Sequence, residues 1–175
     1  KEIRLFTIAS SQDELNEDVN SLKRFVNQLN NIYIDRQAFF SLSSFAQQDL
    51  DESFTKVFSK IQNCHQVYFL FGHSVTDKGI RLLKELFKSV QKDQPPYVYV
   101  FFKGSETGSP EINRLQKMID QKFNHYYNNY SSSDSLILNI ILQIMLKSLD
   151  WVKPEIRDGR VYLKEEPVMS LENVN

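Results

Sequence analysis

Two kinds of apolar run alternate along this 175-residue chain. Residues 3–9, 67–71 and 97–102 are nearly continuous apolar stretches, the pattern of strands covered on both faces. Between them apolar residues recur three and four apart, which predicts amphipathic helices. The stripes are Leu15, Val19, Leu22, Val26 and Leu29; Leu50, Phe54, Val57 and Ile61; Ile80, Leu83, Phe87 and Val90; and Ile112, Leu115 and Ile119. A mixed segment over 32–42, apolar only at Ala38-Phe39-Phe40 and polar at Asp35-Arg36-Gln37, predicts a second strand at a sheet edge. A short fifth strand is predicted over 125–130 and a last helix over 136–149.

Local signals agree with these boundaries. Asp49, Asp51 and Glu52 would fill the first turn of the second helix, where acids complement the helix dipole. Thr76 or Asp77 can cap the third helix, and Pro95-Pro96 ends it. Ser109-Pro110 reads as an N-cap with proline at the first helical position. Strict alternation of strand and helix predicts an α/β fold: a flavodoxin-like three-layer sandwich with a five-stranded parallel sheet of order 2-1-3-4-5 and helices on both faces. Residues 1–150 would form that domain. In 151–175, Asp158-Gly159 between two short β-prone runs predicts a hairpin. The residues from Pro167 on show little periodicity and read as a linker, so the chain is expected to be the N-terminal segment of something longer.

Composition narrows the classes. A formal net charge of -1 offers no field for nucleic acid, and Lys84, Lys88 and Lys92 read as one solvated helix face. The single Cys64 excludes an internal disulfide framework and any cysteine-pair zinc site, and it fits a reducing, cytoplasmic setting. No run is long and apolar enough to span a bilayer. The 136–149 helix is apolar on more than one face. It is either buried on nearly all sides or offers an interface to a C-terminal region of the same polypeptide or to a second copy.

Ligands of open parallel sheets bind outside the carboxyl ends of the strands, where the strand order reverses. That rule gathers Ser10, Ser11, Gly72, His73, Ser74 and Lys103, with Ala9 and Gly104 beside them and Ser41, Ser43 and Ser44 approaching from the edge. Ser10 and Ser11 are read either as phosphate or ribose contacts or as helix caps. Lys103 is read either as a charge for a ligand or as a solvated loop residue. His73 is read as a pocket group or a backbone-bonded loop histidine. His65 and Cys64 fall at the opposite end of the sheet and His125 near a late strand, so no metal-ligand spacing arises. Neither a glycine-rich dinucleotide fingerprint, a P-loop nor a nucleophile elbow occurs.

Three segments carry a family resemblance: Ile3-Arg4-Leu5-Phe6-Thr7-Ile8-Ala9-Ser10-Ser11 followed by Gln12-Asp13-Glu14-Leu15; Phe54 through Gly72, a helix leading into Val67-Tyr68-Phe69-Leu70-Phe71-Gly72; and Tyr99-Val100-Phe101-Phe102-Lys103. Together they resemble bacterial TIR-like domains (Toll/interleukin-1 receptor homology), over residues 3–175. The resemblance implies an N-terminal signalling or interaction module of a larger bacterial defence-type protein, with NAD or another nucleotide as its ligand. Catalytic members cleave the nicotinamide bond of NAD with a glutamate in the helix after the third strand. Here Lys78 and Gly79 stand at that place. Glu85 and Asp77 are the substitutes, one otherwise a solvated helix charge and the other an N-cap. The expectation is a non-catalytic module acting through domain-domain contact or nucleotide sensing, whose strand ends present hydroxyls and an imidazole but no acid able to break a glycosidic bond. The rival is an NAD glycohydrolase or a nucleoside deoxyribosyltransferase-like N-glycosyl hydrolase. A receiver-like domain would need clustered acids where Ala9-Ser10-Ser11 and Gly72-His73 stand.

Overall fold

A computed structural model describes residues 1–46, 54–91, 93–104, 109–147 and 149–174. Five parallel strands form the central sheet: β1 (Glu2–Ala9), β2 (Phe39–Ala46), β3 (Gln66–Phe71), β4 (Tyr97–Lys103) and β5 (Tyr127–Tyr130). Their order is β2-β1-β3-β4-β5, the flavodoxin-like arrangement that the alternation predicts. The helices are α1 (Gln12–Ile32), α2 (Phe54–Ile61), α3 (Asp77–Ser89), α4 (Pro110–Phe123) and α5 (Ser133–Lys147).

Period-two side-chain alternation sends each strand into two cores. Tyr68 and Leu70 of β3 join a cluster with α1 and α5. Val67, Phe69 and Phe71 join a second cluster with α2, α3 and α4. All six residues of β3 are buried, the apolar run 67–71 together with Gln66, whose side chain accepts from the Tyr68 hydroxyl and donates to Gln143 C=O. No helix among the described residues is long and apolar enough to cross a membrane.

The second strand is displaced from its expected place. Residues up to Ile32 continue α1, Ile34–Arg36 form a 3-10 turn, and Gln37 reverses the chain in the left-handed region with φ 51°. The polar triplet at 35–37 is therefore a turn and not part of an edge strand. Asn30 fixes the true start of β2, because its side chain accepts from Phe40 N–H at 2.7 Å and donates to Phe40 C=O at 2.9 Å. As a result Ser41 and Ser44 pair with Arg4 and Thr7 inside the ladder, so the serines at 41, 43 and 44 lie along the strand and not at its outlet. In α3 the stripe centres on Leu82, Leu83 and Leu86, with Ile80, Phe87 and Val90 half-buried at its flanks. Leu50, Asp49, Asp51, Glu52 and Lys92 lie outside the described residues.

After α5 the chain forms an antiparallel sheet of β6 (Pro154–Arg157), β7 (Arg160–Leu163) and β8 (Glu166–Ser170). The hairpin at Asp158-Gly159 forms as its sequence predicts, and the aperiodic tail supplies an unexpected third strand. Val161, Leu163 and Met169 are buried in the α1/α5 core. Trp151 meets the rings of Tyr33 and Phe40 edge-on, with centroids 4.9 and 6.3 Å away. Strand β8 thus owes its existence to β7 and α1, partners that no local periodicity reports. The same packing covers most of α5: Leu136, Ile137, Ile140, Ile141 and Ile144 are buried, while Leu142 and Leu146 remain exposed.

Candidate functional site

Strands β1, β3 and β4 end side by side, and Ser10 N–H donates to Leu70 C=O at 2.9 Å where β1 leaves the sheet. Ser11 to Glu14 has the spacing of a capping box, in which serine and glutamate bond each other's backbone. Neither reciprocal bond is present. Ser11 is the N-cap of α1 but makes no side-chain cap bond. The Glu14 carboxylate instead crosses to β3 and accepts the backbone N–H of His73, and its Oε1 lies 3.7 Å from His73 Nε2. Gly72 makes room for this crossing: a Cβ there would lie 2.0 Å from Glu14 Oε2. The His73 ring then leans over Gly104, where φ is +115° and a Cβ would come within 3.0 Å of the imidazole Cε1.

Behind Glu14, one helical turn on, lies Asp18, 1 % exposed. Its carboxylate receives Lys103 Nζ at 2.9 Å, the Tyr130 hydroxyl at 3.2 Å and the Ser133 hydroxyl at 2.8 Å. Lys103 Nζ also donates to Glu14 C=O at 3.4 Å. These contacts tie α1 to β4, β5 and the start of α5. Burial and the adjacent Asp18 charge push the Tyr130 phenol above its ordinary value, so it stays a hydrogen-bond donor at Asp18.

The strand ends do hold acids, Glu14 and Asp18, which the expectation of hydroxyls and an imidazole left out. Asp18 had a legible signal: it stands at a core position of α1, between Leu15 and Leu22, and a charge there must be buried and paired. Glu14 was hidden by its capping-box spacing, which offers it a local partner that it does not take.

The other named residues fall as follows. Ser10 is 3 % exposed, and its hydroxyl is sealed from solvent with no partner among the described residues. Ser11 is half-buried and Ser74 exposed. Thr76 caps α3 by accepting from Gly79 N–H at 3.2 Å, which leaves Asp77 exposed in the first turn. Glu85 lies eight residues into α3, about 12 Å along its axis, and pairs with Lys88 at 2.8 Å. Glu85 is therefore removed from the group formed by Glu14 and His73. Lys103 is half-buried against Asp18. At the opposite end, His65 Nδ1 accepts Arg4 N–H at 3.1 Å, and Cys64 Sγ donates to Lys60 C=O at 3.2 Å. Burial pushes the Cys64 thiol up. No group of three or more metal-ligating side chains forms among the described residues.

Chemically, the positive charge of Lys103 is matched by Asp18, which leaves Glu14 as the acceptor at the strand ends. A carboxylate beside backbone amides suits hydroxyl donors better than phosphate, which would meet a like charge. By fold the chain is a doubly wound, flavodoxin-like α/β protein. No family model matches it, and no curated protein or solved structure matches it either.

Proposed function

We propose that this chain is a TIR-like recognition module of a larger bacterial signalling protein, binding NAD or a related nucleotide without cleaving it. The observation that carries the reading is Glu14, held at the strand ends over Gly72. Acidic side chains in doubly wound folds recognise ribose hydroxyls at this end of the sheet. His73 can donate to the same sugar, and the resemblance of residues 3–15 supplies the nucleotide class. Glu85 lies well along α3 from this group and is paired with Lys88, which weighs against cleavage by it.

Calorimetry with NAD and with ADP-ribose tests the reading, alongside an assay for released nicotinamide. The expected result is saturable binding, no nicotinamide above the buffer control, and affinity about tenfold weaker in Glu14→Gln, equivalent to one charged hydrogen bond. Absence of binding by either ligand would refute it.

One second reading follows from the same carboxylate. A Glu14 able to face an oxocarbenium-like centre would serve an N-glycosyl hydrolase. Nicotinamide release that disappears in Glu14→Gln and persists in Glu85→Ala would replace the first reading with this one.

A further inference from the structure

The opposite end of β4 opens into a groove of about 530 Å³, within the size range of small-molecule sites. It exists because β5 pairs with β4 only from Val100 onward, leaving Tyr97–Tyr99 with β3 as their single strand neighbour. One wall is Phe87 of α3, its ring centroid 5.0 Å from that of Phe123 and 4.6 Å from His125. Another is the last part of α5, through Gln143 and Lys147.

Three properties define what this groove suits. Its surfaces are aromatic: Tyr97 and Tyr99 line it, and Tyr126 at its mouth is 86 % exposed. Carboxamides line it as well, those of Gln91, Asn124, Asn128 and Gln143. Among the described residues its charges are matched, because Lys147 Nζ lies 3.6 Å from Asp93 Oδ1 while standing 5.4 Å from the Tyr97 ring centroid.

Rings bind a flat heterocycle by stacking, and carboxamides match paired donors and acceptors on its edge. Balanced charge favours an uncharged ligand over a phosphate. We propose that this groove is a second binding site, for the base of a free nucleoside. It is separate from the Glu14 site, since the two ends of β4 lie about 20 Å apart at roughly 3.3 Å per residue.

The test is a backbone amide NMR titration of the whole chain with adenosine, guanosine, cytidine and uridine, and with a short single-stranded oligonucleotide. Saturable shifts at Tyr97, Tyr126 and Gln143 are expected for at least one nucleoside. Tyr126→Ala should weaken that binding about tenfold, the effect of losing one stacked ring. Because Tyr126 is so exposed, that variant keeps its fold, and Glu14→Gln should leave the groove titration unchanged. No groove shifts at millimolar nucleoside, or shifts confined to the Glu14 end, would overturn the assignment. Tighter binding of the oligonucleotide than of any nucleoside would overturn it in favour of single-stranded nucleic acid. Since the Glu14 site is read by a different variant, either site can fail without the other.

Discussion

Replacing Lys103 by Met removes the cation from Asp18 while keeping a side chain of similar length. Asp18, 1 % exposed, would then hold its charge with only the Tyr130 and Ser133 hydroxyls as donors. Breaking one side of a buried pair costs about 3–5 kcal/mol. The Lys103 side chain is 24 % exposed and two donors remain, so the low end applies, about 3 kcal/mol. Asp18→Asn should cost less, about 1.5–2 kcal/mol, because the stranded ammonium can reach water and the amide oxygen still accepts a hydroxyl. The double variant should cost less than the two single changes added together, with a coupling of about 1 kcal/mol or more. For a chain of this size, 3 kcal/mol corresponds to a fall in Tm of about 6–12 °C. Urea unfolding followed by the fluorescence of Trp151, the sole tryptophan, reads all three variants. A Lys103→Met protein within about 0.5 kcal/mol of the parent, or an Asp18→Asn protein less stable than Lys103→Met, would refute the reasoning.

Two further changes test other parts of the structure. Gly72→Ala puts a methyl where the Glu14 carboxylate sits, so that flexible side chain must swing away from the His73 amide. The expected cost is about 1–2 kcal/mol together with a large change in the His73 amide NMR shift; an unmoved His73 resonance would count against the crossing. His65 has its pKa lowered, first by burial and then by the nearby Arg4 and Lys1 charges. The folded imidazole therefore resists a proton that the unfolded chain accepts below about pH 6.5. Stability should fall as the pH drops through that value toward the lower folded pKa, and His65→Asn, which keeps an acceptor for Arg4 N–H, should flatten that part of the profile. Urea titrations from pH 7.5 to 5 measure it, and an unchanged slope in the variant would contradict the assignment.

How much of this was legible differs from element to element. The central strands were, because residues 67–71 and 97–102 are short, unbroken runs rich in aromatic and β-branched residues, the pattern of central strands. Helix α4 was as well, with Ser109 accepting from Ile112 N–H at 3.3 Å and Pro110 following it. The start of β2 was not. It depends on Asn30 recognising Phe40 across a turn, an interaction that apolar spacing does not report. Strand β8 was hidden for the same kind of reason, since its partners are β7 and a helix far away in the chain. At the strand ends, His73 and Gly72 could be named from the ends of apolar runs, whereas Glu14 could not be separated from an ordinary capping residue.

The order of apolar and polar positions was enough by itself to specify a parallel sheet in the order 2-1-3-4-5, because burial on two faces and right-handed crossovers leave little choice of topology. Only the folded chain decided which charges meet. Glu14 reaches across to β3 and Asp18 gathers Lys103, Tyr130 and Ser133 from three later elements. Periodicity records which face of an element is buried; it does not record the direction of a single polar side chain, which is set by partners brought near in space by the fold.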